Sequence, residues 1–440
     1  MTVTDVAAAM PAAQRRKEIR RVVLSSYLGS TIEFYDFLLY ATAASLVFGP
    51  VFFAGLDPLA ATVASYGTFA AGYLARPLGG ALFGHFGDRL GRKRMLLISM
   101  SIMGLASFCI GLIPPPALIG SWAAILLVLL RIGQGVALGG EWGGAALMAL
   151  EHSEKKRRGF AASFTNAGAP TGAVLGTVMM GIFSSLPRDQ FLNWGWRVPF
   201  LLSGVLLVVG LFVRARVSES PIFRAATAEP TGKKPTVPVL QVLRRPKNLL
   251  LTTFGCSASF AMQILFATFA ITYGAAQGSE ESVLLFCFSL ASFSQIFTVI
   301  GLGRLSDTLG RRPVMVAGLV LFTALLYPIL HWVASGNVVL IFLAFFLGLN
   351  CHAMTYGPMA AFISEQFGTT ARYTGASLGY QLATLIGAGL TPILLTSLYA
   401  ASGKNILSVF GILAAVSSAS MVAILLTRES KDNELTQEKF

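Results

Sequence analysis

The sequence predicts an all-α membrane protein of twelve spanning helices, built as two pseudo-symmetric six-helix halves. Three observations predict it. Only 12% of the 440 residues are charged and 55% are hydrophobic, about half the charge of an ordinary soluble chain. Apolar runs long enough for a bilayer core, about 20 residues, recur twelve times. A loop pattern also returns at a fixed interval after equivalent runs. Together these exclude a water-soluble enzyme and a disordered chain.

The elements follow in order. Residues 1–20 form a polar N-terminal tail with Arg15, Arg16 and Lys17, and with no apolar core or cleavage site of a secretory signal. Six spans are expected near 21–49, 60–86, 94–113, 121–149, 160–185 and 196–214, which makes a first half of 21–214. Residues 215–247, rich in Lys, Arg and Pro, read as a linker. Six more spans are expected near 248–274, 281–302, 313–333, 337–362, 373–398 and 405–427, which makes a second half of 248–427 before a short tail, 428–440. Pro170 and Pro199 are expected to break their helices locally.

With the N-terminus placed inside, only five of the 33 lysines and arginines leave the inner segments. Arg188, Arg197 and Lys404 fall outside, and Arg76 and Arg131 fall within spans. That asymmetry predicts cytoplasmic termini. The net charge of +13 is then a topological signal, and no nucleic-acid partner is expected. The lipid bilayer is the surrounding medium, and a monomer is expected.

Catalytic chemistry finds no support. Cys109, Cys256, Cys287 and Cys351 lie in apolar runs without metal-ligand spacing. The four histidines (His85, His152, His331 and His352) show no H-E-x-x-H, and no G-x-x-x-x-G-K-[ST] is present. No enzyme activity, metal or cofactor is expected.

The repeat is specific. Gly84-His85-Phe86-Gly87-Asp88-Arg89-Leu90-Gly91-Arg92-Lys93 follows the second run. Gly303-Arg304-Leu305-Ser306-Asp307-Thr308-Leu309-Gly310-Arg311-Arg312 follows the eighth, offset by 219 residues. A second echo, offset by 214, links Arg158 to Arg372 and Ser163 to Ser377. Halves repeated about an axis along the membrane normal are a plan of secondary transporters. Glycines permit tight turns, and an Asp can accept from helix N-terminal amides and from an arginine. Gly84, Asp88, Gly91 and Arg92, with Gly303, Asp307, Gly310 and Arg311, are therefore expected to gate.

Charge inside a span is costly and points to function. Glu33 and Asp36 share a helix face in span one, and two close carboxylates resist double ionisation. Arg131, at similar depth in span four, stays charged and is the expected counter-ion. These three are the expected proton-coupling site. Arg76 and Glu141 lie nearer the inner ends of spans two and four. A second ion pair, a gate with the Asp88 loop and fixed packing remain open for them. Substrate contacts are expected from Tyr27, Tyr40, Arg131 and Gln134. The second half offers neutral groups: Ser259, Gln263, Ser292, Gln295, Asn350, His352, Tyr356, Tyr380, Gln381 and Thr384. Such donors and acceptors suit a polyhydroxylated or carboxylated ligand. His352 is an alternative proton relay.

The loop pair resembles the signature of the major facilitator superfamily. Ile32-Glu33-Phe34-Tyr35-Asp36-Phe37, Ala75-Arg76-Pro77, Arg131-Ile132-Gly133-Gln134-Gly135 and Gly139-Gly140-Glu141-Trp142-Gly143-Gly144 are similar to its metabolite:proton symporter family. Trp194-Gly195-Trp196-Arg197-Val198-Pro199-Phe200, Glu219-Ser220-Pro221 with Phe223, and Arg372-Tyr373-Thr374-Gly375-Ala376 extend the likeness. The resemblance implies a bacterial inner-membrane symporter that imports a small polar metabolite with protons, such as shikimate or another hydroxylated organic acid. It needs no cofactor beyond the proton gradient. The alternatives are a symporter for a 2-oxoglutarate-like acid or for a zwitterion such as proline or betaine, then a drug/proton antiporter or a uniporter. Gly168-Ala169-Pro170-Thr171-Gly172-Ala173 matches the antiporter element G-P-x-x-G-G only in part. Arg428–Phe440 has no heptad run of the osmosensing branch.

Overall fold

The computed structural model describes residues 12–220, 238–244, 246–432 and 435. Pro221 and Phe223 of the motif above, and Arg224, Lys233, Lys234, Arg245 and Lys439 among the basic residues of the inner segments, lie outside the described residues.

Among the described residues, twelve long helices account for the fold. The first six are α1 (Arg16–Phe52), α2 (Pro58–Leu90), α3 (Arg92–Leu112), α4 (Trp122–His152), α5 (Lys155–Ser184) and α6 (Arg188–Ala215). The second six are α7 (Pro246–Ala276), α8 (Glu281–Leu309), α9 (Arg311–Val333), α10 (Val338–Glu365), α11 (Thr369–Ala401) and α12 (Ile406–Leu426). All but α2 are long and apolar enough to cross a membrane by composition alone. The 33-residue α2 is diluted by Tyr66, Tyr73, Arg76 and glycines. Helices satisfy their own backbone groups, so side chains alone decide the packing in lipid. Leu74, Phe286, Phe297 and Ile393 point outward, each more than 60% exposed, while the charged residues of the spans turn inward.

The first half packs α1 on α5, α2 on α4, and α3 on both α4 and α6. The second packs α10 on α8 and α9, and α12 on α7 and α9. Across the halves α5 meets α8 and α2 meets α11. The repeat exchanges these two contacts, because each helix corresponds to the one six places on. The start of α1, the end of α12 and both Gly-Asp loops lie on one face of the bundle, here the terminal face. There α2 and α8 break from α3 and α9 at single residues, Gly91 (φ 103°) and Gly310 (φ 107°). A side chain is strained at such φ, which is why glycine stands at both.

The expected helix breaks at prolines do not occur. Pro170 sits inside the continuous helix Arg158–Ser184. Pro199 is the third residue of the helix Arg197–Ala215, where its missing N–H is unneeded anyway. Local rewinding occurs instead as π-helical turns. Ala44–Phe48 in α1 and Leu265–Phe269 in α7 occupy equivalent places, and Phe191–Gly195 and Leu385–Gly389 add two more.

Candidate functional site

A small cavity lies within the first half. Glu33, Asp36 and Phe37 of α1, Gly72 and Arg76 of α2, Met103 of α3, and Arg131, Gln134, Gly135 and Leu138 of α4 line it. Glu33 and Asp36 share its wall as the i, i+3 spacing requires, and both are buried. The Ser203 hydroxyl donates to Asp36 Oδ1. Asp36 Oδ2 and Glu33 Oε2 have no hydrogen-bond partner.

Arg131 enters from α4 without the ion pair expected of it. Its guanidinium lies 4.1 Å from the Tyr40 ring centre and 5.0 Å from that of Phe69, and its Nη1 donates to Gln134 Oε1 at 3.2 Å. Gln134 passes the chain on to the Ser107 hydroxyl at 2.7 Å. Arg76 likewise sits over Tyr73 at 4.1 Å and over Phe37 at 4.5 Å. Among the described residues neither arginine forms an ion pair with Glu33 or Asp36. Aromatic faces hold both cations beside the carboxylates. Two carboxyls and two guanidiniums thus share one cavity with bonding capacity left over.

Glu141 has a different partner from Arg76. Its Oε1 accepts from Arg214 Nη2 at 2.6 Å. Arg214 also corrects the reading of the basic segments. It is one of the basic residues of the inner segments, yet it is 3% exposed and reaches into the bundle from the end of α6, where Nη1 donates to the Leu96 carbonyl at 3.0 Å. Gly29 makes the space, because a methyl there would land on the Arg214 guanidinium.

The other expected substrate contacts do not line this cavity. Tyr27 bonds Thr171 at 2.9 Å, and Tyr40 donates to Thr68 at 2.7 Å. Gln295 meets His352 Nδ1 at 2.6 Å and the Leu349 carbonyl at 3.1 Å. Asn350 donates to the Phe346 carbonyl, Thr384 donates to the Tyr380 carbonyl, and Thr355 donates to Ser259. Gln263 is half-buried and Ser292 is buried. Tyr356, Tyr380 and Gln381 instead join the seam between the halves. Tyr356 and Tyr380 meet through their hydroxyls at 3.3 Å, and Gln381 donates to the Gly139 carbonyl at 3.3 Å. Tyr380 stacks on Trp142 with ring centres 3.6 Å apart. The Trp142 indole donates to Asn166 at 2.9 Å, and Asn166 donates on to the Tyr356 carbonyl.

Toward the terminal face the repeat produces two matching locks. Asp88, at the end of α2, accepts from the backbone N–H of Tyr373 (3.1 Å) and Thr374 (3.0 Å) and from the Thr374 hydroxyl (2.9 Å), at the start of α11. Asp307, at the end of α8, accepts from the backbone N–H of Gly159 (2.8 Å) and Phe160 (2.9 Å), at the start of α5. Each carboxylate caps a helix N-terminus of the other half, where unpaired amides and the helix dipole favour an anion. Arg311 bonds Asp307 at 2.8 Å and Glu365 at 3.3 Å. Arg92 pairs with Glu151, which also holds Arg372 at 3.1 Å across the halves.

Several members of these locks were not singled out from the sequence. Glu151 and Glu365 stand seven residues before Arg158 and Arg372, so the 214-residue offset that exposed the arginines also contains the glutamates. A further pair recurs at an offset of 210. Glu219 accepts from the Lys93 N–H, and Ser220 binds Glu151. Glu429 accepts from the N–H groups of Arg311 and Arg312, each at 3.0 Å, and Ser430 donates to Glu365. Burial alone would raise the Glu429 carboxyl. The backbone donors of Arg311, Arg312, Ser430 and Lys431 outweigh it and hold that carboxyl below its ordinary value.

Comparison with known proteins bears on the whole chain. The family described as Major Facilitator Superfamily matches residues 26–298 and 275–439. An inner membrane metabolite transport protein of Escherichia coli (strain K12) is 39% identical over 426 residues, covering 94% of this chain and 95% of the relative. The shikimate transporter of the same organism is 36% identical, covering 94% and 95%. A proline/betaine transporter of Salmonella typhimurium (strain LT2) is 33% identical, covering 86% and 77%. A solved structure of the proton:xylose symporter XylE bound to 6-bromo-6-deoxy-D-glucose superposes with a TM-score of 0.78 at 17% identity, covering 96% of this chain and 98% of that one.

Proposed function

The chain belongs to the major facilitator superfamily, and on that premise we propose that this polytopic membrane transporter is a proton symporter that imports an organic acid. The family's relatives are transporters, not enzymes. The observation that carries the symporter reading is the cavity where Glu33 and Asp36 face Arg76 and Arg131 with unpartnered carboxylate oxygens. A proton on Asp36 or Glu33 lowers the local negative charge and leaves the guanidiniums available to a substrate carboxylate. Loss of that proton restores the competing anion and favours release. The cycle therefore stores the proton gradient in one charge balance and needs no cofactor.

The terminal face is the cytoplasmic side of a bacterial inner membrane in this reading, and the protein works as a monomer. The halves, 21–214 and 248–427, rock about the seam. The Asp88 and Asp307 locks, with Gly84, Gly91, Arg92, Gly303, Gly310 and Arg311, hold the cytoplasmic exit shut until substrate and proton are loaded. Tyr356, Tyr380 and Gln381 close the floor above them. Shikimate is the favoured substrate, supported by the shikimate transporter of E. coli among the relatives and by the paired guanidiniums.

The test is uptake into energised vesicles of the full chain, with shikimate, 2-oxoglutarate, benzoate, proline and betaine in competition. Protonophore-sensitive accumulation of a carboxylic acid is expected. Asp36→Asn and Arg131→Ala should each abolish accumulation. Near-normal pH-driven uptake in either variant rejects the site, and accumulation of betaine alone moves the substrate to the zwitterions.

A further inference from the structure

We infer that Glu141, held by Arg214, is a second proton station, and that it carries the coupled proton from the cavity to the cytoplasm inside the first half, apart from the seam that the substrate crosses. The inference rests on the reading of Glu33 and Asp36 as the coupling carboxyls.

A second, small cavity lies below the first. Its walls include Ser25 and Ser26 of α1, Lys93 of α3, Ala145 and Met148 of α4, and Arg214 of α6. On α4 the two cavities are walled by Gln134 and Leu138 on one side and by Ala145 and Met148 on the other, with Glu141 between them. Those positions step by three and four residues and so share one helix face. On α1 Glu33 and Asp36 serve the first cavity and Ser25 and Ser26 the second, with Gly29 between them. From Leu138 to Ala145 the helix advances about 10 Å. One carboxyl at the midpoint divides that into steps that a single water spans. The lower cavity reaches the terminal face beside Lys93, whose Nζ donates to the Ala215 carbonyl at 2.8 Å in an exposed position.

This column keeps unspent hydrogen-bonding capacity. Ser30 Oγ, Glu33 Oε2, Asp36 Oδ2 and Glu141 Oε2 are buried acceptors without a protein partner, and Arg214 Nε is a buried donor without one. Burying a polar atom unpaired is costly, so Glu33 Oε2, Asp36 Oδ2 and Glu141 Oε2 left together in one half are not packing noise. Protons and water are the species that satisfy acceptors of this kind. Arg214 binds Glu141 through Oε1, which leaves Oε2 as the oxygen that can take a proton.

The charged and polar groups facing Glu141 are Glu33 of α1, Arg214 of α6, Ser99 of α3 and Tyr373 of α11, with Arg76 of α2 and Asp36 of α1 beside Glu33. The transfer balances as follows. The Glu33 carboxyl gives its proton through a water to Glu141 Oε2 and becomes a carboxylate. Glu141 then gives that proton to water in the lower cavity and returns to its bond with Arg214. Arg214 keeps its charge throughout. The seam's other bonds run through Trp142 and Gln381, and Tyr373, which faces Glu141, spends its hydroxyl on the Gly140 carbonyl.

Infrared pH-difference spectra of the full chain, in sealed vesicles with the termini outward, test this without any substrate. After an external pH step the protonated-carboxyl bands are followed in time. Glu141→Gln should remove one component. Ser26→Leu fills the lower cavity, leaves every carboxyl in place, and should slow equilibration roughly tenfold. Unchanged kinetics in Ser26→Leu overturn the inference, as does a Glu141→Gln spectrum that superposes on that of the wild type. If Glu141→Gln does not fold, Ser26→Leu decides. Glu33→Gln and Asp36→Asn run beside them. Spectra unchanged in those two, with Glu141→Gln altered, reject the coupling site rather than the second station.

Discussion

At Gly29 an added methyl would meet the Arg214 guanidinium, and the arginine has nowhere to retreat because Glu141 and the Leu96 carbonyl hold it. Gly29→Ala is expected to destabilise by about 1–3 kcal/mol, as overpacking does, read as a lowered melting temperature of the detergent-solubilised protein. Glu151 is the opposite case, a carboxylate shared by two buried arginines from different halves. Removing one member of a buried pair costs about 3–5 kcal/mol. Glu151→Gln should therefore favour the form with the terminal face open. A cysteine placed at Ser377, fully buried at the seam, should then be alkylated faster than in the parent. Equal alkylation rates would show that Glu151 does not hold the face shut. The sequence made the carboxylates of α1 easy to find, because charge inside an apolar run stands out. It hid Arg214, which sits at the end of a span beside Arg216 and looks like one more topological cation. Only its packing against Gly29 separates the two.

Helices and their ends carry the next set of consequences. The repeat located Asp88, Asp307 and the arginines after them, because a pattern that recurs at one offset is legible without coordinates. Glu151, Glu365 and Glu429 were missed because a glutamate next to basic residues usually belongs to a solvated surface, and Glu219 stood out only as part of a motif. Their roles depend on which helix end folds against which. The cavity itself was half legible: α1 and α4 supply the expected residues, whereas the neutral groups of the second half satisfy one another instead. Hydrogen-bonding side chains in a span look alike whether they face substrate or a neighbouring helix. Two backbone donors at the start of α9 and two in the chain after α12 depress the Glu429 carboxyl. A depressed group contributes stability above its unfolded value of about 4.3 and loses that contribution as pH falls through its folded value. Glu429→Gln should thus lower the melting temperature at pH 7, and the gap to wild type should close on acidification below about pH 4. A gap that stays constant across that range would rule out the ionised cap.

For the whole molecule, the two locks are copies of one device that act on the same motion. Asp88→Asn and Asp307→Asn are each expected to speed alkylation at position 377 modestly. The double variant should exceed the sum of the two, because while one lock holds, the halves cannot part. Strict additivity would mean that the two ends of the seam open independently. The locks also differ from ordinary ion pairs in what mutation can reach. Four of the groups that Asp88 and Asp307 grip are peptide N–H groups of residues 373, 374, 159 and 160. No substitution short of proline deletes such a donor. One side of each latch is therefore shielded from genetic drift, and the lineage has only two aspartates to guard. At those helix starts the grip on the aspartate thus outlasts any change of side chain that the packing admits.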